Sequence, residues 1–327
     1  MPASPFTVST LGENAPLGPA VLCIGNFDGM HRGHQAVIEA ARALGTAEGL
    51  PVRLLSFEPH PRTLFRPETP VFRLTPPEAK ARIARALGLD GLVVAPFDRD
   101  FAAQSASEFA EAVLARGLGA RRVVVGPDFR FGAGRGGDAA LLAQEGARLG
   151  FAVTTVAPVA EGTEPVSSSR IRKALGRGDI ATANALLGYR WFVEAEVIHG
   201  DKRGRLLGYP TANMRLAPET TLAHGIYAVW LDVDGTRHAG VASFGRRPTF
   251  DDGPPLLETF VFGFSGDLYG KAPRVTFAAY LRPEMKFDGV EPLIAQMDRD
   301  SAEAKAILAA ARPLSTLDEA LGEDARL

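Results

Sequence analysis

The chain has 327 residues, which at roughly 150 residues per domain predicts about two globular units. Apolar residues make up 46%, charged residues 23%, and the formal net charge is −2, which excludes a disordered or polybasic chain. Nucleic acid is therefore not expected as a partner. Because no apolar run approaches the roughly 18–20 residues of a membrane span and no leader pattern is present, we expect no membrane partner and a cytoplasmic location. The single cysteine, Cys23, lies in an apolar run and is expected to be an inert, buried side chain.

The first half of the chain alternates short β-prone runs with helical patterns. Strands are predicted at residues 21–25, 52–57, 91–95, 121–125 and 151–156, and helices at residues 34–44, 76–87, 105–115 and 138–149. Because each helix is long enough for a right-handed crossover, this half should form an open, Rossmann-like parallel α/β sheet. Such sheets bind ligands beyond the carboxyl ends of their strands. The residues before the first strand are interpreted as a short mobile lead-in.

The second half has a different residue pattern, in which β-prone runs are separated by turn residues. Strands are predicted at residues 191–198, 225–233, 239–244, 258–264 and 274–281, which indicates an antiparallel β-barrel or sandwich. A C-terminal helix over residues 290–311 should pack on it through an apolar stripe formed by Leu293, Ile294, Met297, Ala304 and Ile307. Gly188 ends a short helix, so we assign residues 1–186 to one domain and residues 187–327 to the other.

One motif, GNFDGMHRGH at residues 25–34, follows a predicted strand and opens a predicted helix. His31 and His34 can converge near the helix N-terminus, where main-chain N–H groups and the helix dipole favour phosphate, and glycines permit close approach. This arrangement suits attack of a phosphate oxygen on the α-phosphorus of ATP, a reaction that needs charge stabilisation. Two solvated histidines at a helix start, or half of a metal site, are the alternatives.

Two further segments of the first half carry candidate ligand groups. Residues 167–172 read SSSRIR, and consecutive serines can cap a helix and donate hydroxyl groups to an anion, with Arg172 one turn in. A serine-capped helix without a ligand is the alternative. Residues 126–132 read GPDFRFG, where Phe129 and Phe131 have strand-like spacing. That spacing would point Asp128 and Arg130 outward, although a core role for the segment competes.

The strongest motif of the second half is HGDKRGRLLGYPTAN at residues 199–213. Its glycines suit a loop that folds over phosphates, although a flexible basic surface turn would also be glycine-rich. The hydroxyl of Thr211 and the amide oxygen of Asn213 lie on one face of a strand and fit a Mg²⁺ site. The chain has no GxxxxGK followed by Ser or Thr, so an ordinary P-loop kinase is not indicated.

The first-half motifs resemble the HxGH superfamily of nucleotidylyltransferases, and more closely the FMN adenylyltransferase half of bacterial bifunctional FAD synthetases. The similarity extends to SFEPHP at residues 56–61. It implies that His31 and His34 are catalytic. The implied ATP-binding residues are Gly25, Phe27, Asp28, Gly33, Ser168, Ser169 and Arg172. The implied flavin-binding residues are Asp128, Phe129 and Arg130.

The second-half motif resembles the Gly-rich loop and PTAN motif of the riboflavin kinases, and the similarity continues through residues 225–227, 245–249, 268–270 and 281–287. The resemblance implies Mg²⁺ ligation by Thr211 and Asn213, and places the family's catalytic base at Glu258, although an exposed strand-end glutamate is the alternative. Ala195 and Ser243 stand where the family commonly has Gly and Asn. The implied ATP-binding residues are Gly200, Gly204, Arg205, Gly208, Pro210 and Thr211.

The resemblance covers roughly residues 18–312 and implies a bifunctional enzyme of FAD biosynthesis. Its C-terminal domain would phosphorylate riboflavin to FMN, and its N-terminal domain would adenylylate FMN to FAD with release of pyrophosphate. ATP would be the co-substrate of both steps and Mg²⁺ the cofactor. Two alternatives stay open, namely a nucleotidylyltransferase for phosphopantetheine or nicotinamide mononucleotide, and a C-terminal barrel that senses flavin or ATP without catalysis.

Overall fold

The computed structural model of the chain describes residues 6–12, 17–200, 204, 208–246 and 255–323. It divides into two compact units, Met1–Ser167 and Ser168–Leu327. This division falls upstream of the predicted domain boundary at residues 186/187, which stays a prediction. None of the described helices is long and apolar enough to cross a membrane.

The first unit is built on a six-stranded parallel sheet with order β1-β4-β3-β2-β5-β8. The strands of the unit are β1 (Thr7–Thr10), β2 (Ala20–Ile24), β3 (Val52–Glu58), β4 (Gly91–Pro96), β5 (Ala120–Val125), β6 (Arg130–Phe131), β7 (Gly137–Asp138), β8 (Ala152–Thr155), β9 (Ala160–Glu161) and β10 (Glu164–Pro165). Its helices are α1 (Arg32–Glu48), α2 (Pro61–Phe65), α3 (Pro77–Ala86), α4 (Arg99–Ala103), α5 (Ala106–Glu108) with a π-helical continuation (Phe109–Gly117), a 3₁₀ turn (Ala133–Arg135) and α6 (Ala139–Leu149).

The strand order confirms the predicted parallel α/β sheet and locates its switch point. From β2 the chain adds β3 and β4 on one side, and then returns to add β5 and β8 on the other. All five residues of β2 are buried, as expected for a central strand of a parallel sheet. The loops that follow β2 and β5 therefore start side by side at the carboxyl edge, where open α/β sheets bind ligands.

The interpretation of the N-terminal segment as a mobile lead-in is wrong for β1. Its four residues pair in parallel with β4, from Thr7 opposite Gly91 to Thr10 opposite Val94. The sequence TVST is β-prone but short and polar, so it gave no apolar signal. This strand covers the main-chain edge of β4, which would otherwise be open to pairing with another chain.

The second unit contains a curled, antiparallel seven-stranded sheet with order β11-β17-β14-β15-β16-β13-β12, in agreement with the predicted β-barrel class. Its strands are β11 (Phe192–Glu194), β12 (Val197–Ile198), β13 (Thr211–Arg215), β14 (Gly225–Val233), β15 (Thr236–Gly245), β16 (Leu256–Val261) and β17 (Arg274–Arg282). Its helices are α7 (Ser168–Leu175), α8 (Ile180–Leu187), α9 (Val290–Ala310) and α10 (Thr316–Glu323).

Helix α9 is the predicted C-terminal helix, and it packs across β14, β15 and β17. Ala304 and Leu308 are buried there against Ala228 of β14. The predicted apolar stripe omitted Leu308, and its members near the helix start, such as Leu293 and Met297, are only half-buried. The helix therefore packs most tightly through its C-terminal half.

Helices α7 and α8 pack on this antiparallel sheet through main-chain and amide hydrogen bonds. Leu175 O accepts from Ala223 N at 3.0 Å. The buried Asn184 donates from Nδ2 to Phe277 O at 3.1 Å and accepts at Oδ1 from Trp191 N at 2.9 Å. One side chain thus satisfies two main-chain groups that lie on β17 and just before β11.

We expect Asn184→Ala to destabilise the second unit by about 2 kcal/mol or more, because it removes the hydrogen bonds of one amide to two buried main-chain groups. Both tryptophans, Trp191 and Trp230, lie in this unit, so urea unfolding followed by tryptophan fluorescence reports on it selectively. Thr182→Ala, at an exposed position of the same helix, is the matched control. Equal midpoints for the two variants would contradict the assigned role of Asn184.

Candidate active sites

The loop between β2 and α1 carries the first motif in a strained conformation. Phe27 has φ 46° and Met30 has φ 37°, both in the left-handed region, and Gly29 between them has φ 84°. For residues with a Cβ such conformations cost on the order of 1–3 kcal/mol each. Phe27 and Met30 are 2% and 0% exposed. Burial of these two side chains therefore helps to hold the loop in its strained form.

His31 and His34 lie side by side at the start of α1, as their spacing predicts. His31 is the N-cap residue, whose Nδ1 accepts from His34 N at 3.4 Å, and the two rings stack with centroids 3.8 Å apart and planes at 17°. A Cβ on Gly33 would come within 3.2 Å of the His31 ring, so glycine gives the ring its space. The two imidazoles therefore lie together at a helix N-terminus, where main-chain N–H groups and the helix dipole favour an anion.

The environment of His34 keeps its imidazole neutral. Burial lowers the pKa of His34 well below its ordinary value, and the neighbouring His31 and Lys80 lower it further. Among the described residues, Nδ1 of His34 has no hydrogen-bond partner. A neutral imidazole at this position can donate one hydrogen bond to a phosphate oxygen without bringing a permanent charge.

Asp28, a predicted ATP-binding residue, directs its carboxylate into the protein. Oδ1 accepts from Leu74 N at 2.9 Å and from Thr75 N at 3.0 Å, and the residue is 2% exposed. Gly29 N in turn donates to Thr75 Oγ1 at 2.9 Å. The carboxylate therefore ties the motif loop to the segment before α3, and a direct contact with ATP stays a prediction.

The loop after β5 contains the predicted flavin-binding residues, and their side chains alternate between exposed and partly buried positions as the spacing predicts. Phe129 stacks on the buried Phe131 with centroids 5.5 Å apart, while Asp128 and Arg130 are exposed. Arg130 lies 3.5 Å from Asp138 of β7. This loop follows the strand beside β2, so it starts at the switch point of the sheet.

The predicted phosphate-binding serines lie at the start of α7, which belongs to the second unit. Helix α7 begins at Ser168, two residues before the predicted start near Arg170. Ser168 and Ser169 are therefore in the first turn, where main-chain N–H groups have no partner inside the helix. Arg172 follows on the same helix and is half-buried.

The second site is assembled by strand register. Asn213 of β13 lies directly opposite Glu258 of β16, which lies opposite Ser243 of β15, and Thr211 lies opposite Phe260. Directly opposed residues project from the same face of a sheet with Cβ atoms about 4.5–5.5 Å apart. Glu258 is half-buried in the middle of its strand, so the alternative of an exposed strand-end glutamate is not what the structure shows.

The glycine-rich segment closes on this face. A Cβ on Gly200 would lie 2.7 Å from the side chain of Asn213, and a Cβ on Gly204 would lie 2.3 Å from Tyr209 O. Nδ2 of Asn213 donates to Thr211 O at 3.1 Å, which fixes the orientation of the amide. The exposed residues Gly208 and Pro210 flank the buried Tyr209. The predicted residue Arg205 lies outside the described residues, as do residues 201–203 and 247–254.

An open cavity of about 490 Å³ lies between the sheet and α9, and its lining includes Phe260, the residue opposite Thr211. The rings of Tyr209 and Phe260 meet in it with centroids 4.8 Å apart. The polar groups Asp298, Ser301 and Lys305 come from α9. Sequence reasoning missed this cavity because its aromatic and helical parts are far apart along the chain.

Comparisons with known proteins identify the family of both units. A family model described as FAD synthetase matches residues 14–170, and one described as riboflavin kinase matches residues 187–308. The bifunctional riboflavin kinase/FMN adenylyltransferase of Escherichia coli K12 is 38% identical over 302 residues, covering 92% of this chain and 96% of that protein. The protein of the same description from Pseudomonas fluorescens is 39% identical over 290 residues, covering 88% and 93%.

A solved structure from Streptococcus pneumoniae, described as a macrolide-efflux protein, is also similar. It is 29% identical, has a TM-score of 0.80, and the match covers 91% of this chain and 96% of that one. The likeness therefore extends over both units of the chain.

Fold and sites together define an ATP-dependent transferase with a nucleotidyltransferase unit followed by a kinase unit. The chain belongs to the bifunctional riboflavin kinase/FMN adenylyltransferase family. It phosphorylates riboflavin to FMN and adenylylates FMN to FAD, with ATP as the co-substrate. These comparisons favour this function over a non-catalytic flavin-sensing barrel and over a different phosphate substrate.

We expect the first unit to lose stability as the pH falls from 7 to 5.5. Because the pKa of His34 is held below its ordinary value of 6.5, the unfolded chain binds more protons in this range. One proton gives a slope of at most about 1.4 kcal/mol per pH unit. Scanning calorimetry of the chain and of His34→Gln measures this, since tryptophan fluorescence identifies the transition of the second unit. A pH dependence unchanged in His34→Gln would contradict the neutral imidazole.

We expect Gly200→Ala to reduce riboflavin phosphorylation by about tenfold or more, a loss of at least about 1.4 kcal/mol of transition-state stabilisation. The added Cβ would collide with the amide of Asn213. FMN adenylylation by the same preparation should stay at the parental rate, which serves as the internal control. Gly18→Ala, where a Cβ meets nothing within 4 Å, should change neither rate. Full kinase activity in Gly200→Ala would argue against the close packing at Asn213.

Proposed function

We propose that the two reactions use separate groups of residues, one in each motif described above. The observation that supports the kinase assignment best is the row Ser243, Glu258 and Asn213 across three neighbouring strands, with Thr211 on the same face. This row places a carboxylate beside an amide and a hydroxyl in a place where a glycine-rich segment makes close contact. Such an arrangement suits transfer of a phosphoryl group to a hydroxyl.

Glu258 acts as the general base of the kinase in this proposal. The 5′-hydroxyl of riboflavin must lose its proton as its oxygen attacks the γ-phosphorus of ATP, and a carboxylate within hydrogen-bond reach accepts that proton. Gly200, Gly204, Gly208, Pro210 and Thr211, together with Arg205, contact ATP. The cavity lined by Tyr209 and Phe260 receives a planar ring system of one of the two substrates.

Thr211 and Asn213 are the residues that would hold Mg²⁺ in the kinase site. The fit rests on donor chemistry, because a hydroxyl and an amide oxygen are the hard ligands that Mg²⁺ prefers. The bond from Asn213 Nδ2 to Thr211 O assigns the other end of the amide as the oxygen donor. When bound, the ion neutralises charge on the phosphates of ATP.

His31 and His34 stabilise the charge that develops on the α-phosphate during adenylyl transfer. The phosphate oxygen of FMN forms the new bond to the α-phosphorus, and pyrophosphate leaves. Gly25, Phe27 and Gly33 give ATP close access to the main chain, and Asp28 acts by shaping the loop. Ser168, Ser169 and Arg172 contribute hydroxyl groups and a guanidinium to the ATP phosphates. Asp128, Phe129 and Arg130 contact the flavin.

We place the domain boundary between residues 186 and 187, close to the start of the riboflavin kinase match at residue 187. We also propose a cytoplasmic location, because both reactions consume ATP. Small flavins and ATP are the partners that the two activities require.

The experiment that tests these roles is chromatographic product analysis with reciprocal variants. Glu258→Gln should lower riboflavin phosphorylation by about 10²-fold or more, the usual contribution of a general base, and leave FAD formation from FMN unchanged. His31→Ala should do the reverse, with a loss of about 10²-fold in FAD formation. Each variant is the control for the other. Loss of both activities in either variant would contradict separate sites.

A further inference from the structure

Lys80 of α3 is a buried lysine whose position no motif explained. It is 1% exposed and lies directly beneath the loop between β2 and α1. Lysine is almost never fully buried unless it is paired, because removal of its charge from water is costly. The surroundings of this ammonium group therefore have to compensate for that cost.

Three acceptors surround the ammonium group. Nζ donates to Asn26 O at 3.0 Å, to Ser56 Oγ at 2.6 Å and to Glu58 Oε1 at 3.3 Å. A protonated lysine has three N–H donors, so donors and acceptors match in number. Ser56 Oγ also donates to Asn26 O at 3.1 Å. All three donors are thus engaged by the protein, which makes Lys80 unavailable for direct contact with a substrate.

The pairing continues outward from Glu58. Arg73 binds both carboxylate oxygens of Glu58, and its Nε lies 4.0 Å from Asp28 Oδ1. Burial lowers the pKa of Lys80, while the charge of Glu58 opposes this change. Burial alone would raise the pKa of Glu58, but Arg73 and Lys80 outweigh it and lower that pKa. Charges of both signs therefore stabilise each other under the loop.

We propose that Lys80 is a positioning residue for adenylyl transfer, which holds the carbonyl of Asn26 so that His31 and His34 stay at their working positions. This inference rests on the role proposed above for the two histidines. Asn26 directly precedes Phe27, the first of the two strained residues of the loop. When the hold on Asn26 O is lost, the loop can relax and α1 can shift with it. A displacement of about 1 Å at a catalytic group can cost about 10²-fold in rate.

A charge-neutral double variant separates positioning from folding. Lys80→Met alone would leave Glu58 and two other buried acceptors short of partners, and could unfold the unit. Lys80→Met combined with Glu58→Gln removes one positive and one negative charge together, and buried ion pairs can often be replaced without loss of stability. Glu58→Gln alone is the reference, so that the pair forms part of a double-mutant cycle. Arg85→Met, at an exposed position of α3, is the control for loss of a cation from this helix.

The measurement is kcat and KM of FAD formation from FMN and ATP, with riboflavin phosphorylation by the same chain as internal reference. We expect the double variant to show a kcat about tenfold to 10²-fold below that of Glu58→Gln, with KM for ATP and FMN little changed. Arg85→Met should match the parent. A folded double variant with the kcat of Glu58→Gln would overturn the proposal. A parent chain that forms no FAD would instead overturn the proposed adenylyltransferase site.

If the double variant shows no cooperative thermal unfolding and is therefore not folded, Ser56→Ala is the variant that tests the proposal. Ser56 is fully buried, and its hydroxyl donates to Asn26 O and accepts from Lys80 Nζ. A fall in kcat of several-fold with unchanged KM, at parental riboflavin phosphorylation, supports the hold on Asn26. A parental kcat in a folded Ser56→Ala chain overturns it.

Discussion

A positive charge buried beneath a strained loop is the constraint on which the proposed adenylyl-transfer site depends. Burial of an ammonium group is tolerated only when every donor has a partner, so β3, α3 and the loop after β2 must meet in one arrangement. The same loop contains Phe27 and Met30 in left-handed conformations, which favour relaxation. The ionic cluster and the buried side chains oppose that relaxation. The strained loop and the ionic cluster that stabilises it therefore lie together, directly before the two histidines.

The kinase site obtains its geometry by a different route. Its candidate groups stand on neighbouring antiparallel strands, where register alone sets which side chains are adjacent. A shift of one residue between β13 and β16 would turn Glu258 to the opposite face. The register is in turn supported by the buried residues of the other face, such as Leu257 and Met214. Core packing on one face of the sheet thus sets the chemistry on the other.

The two sites also show which features can be predicted from a sequence and which cannot. The proximity of His31 and His34 was predictable because they lie three residues apart at the start of one helix. The parallel sheet was predictable from repeated apolar runs. Lys80 was not predictable, since its partner Asn26 is 54 residues away and a single lysine on an amphipathic helix gives no signal. Glu258 could be singled out by resemblance alone, because its pairing with Asn213 exists only once the strands are aligned. Patterns within one element are visible in the sequence, whereas contacts between distant elements are not.

The attachment of α7 and α8 limits how the two activities can be separated. A fragment that begins at residue 187 would lack Asn184 and leave Trp191 N and Phe277 O without their amide partner. A fragment that begins at residue 168 keeps this support, but it removes from the first unit Ser168, Ser169 and Arg172, the residues proposed above to bind the ATP phosphates. Under the proposed roles, no single cut in this interval leaves both units with all of their residues. The two activities would then share the segment that contains α7 and α8, and the two units would be less independent than two family matches in tandem suggest.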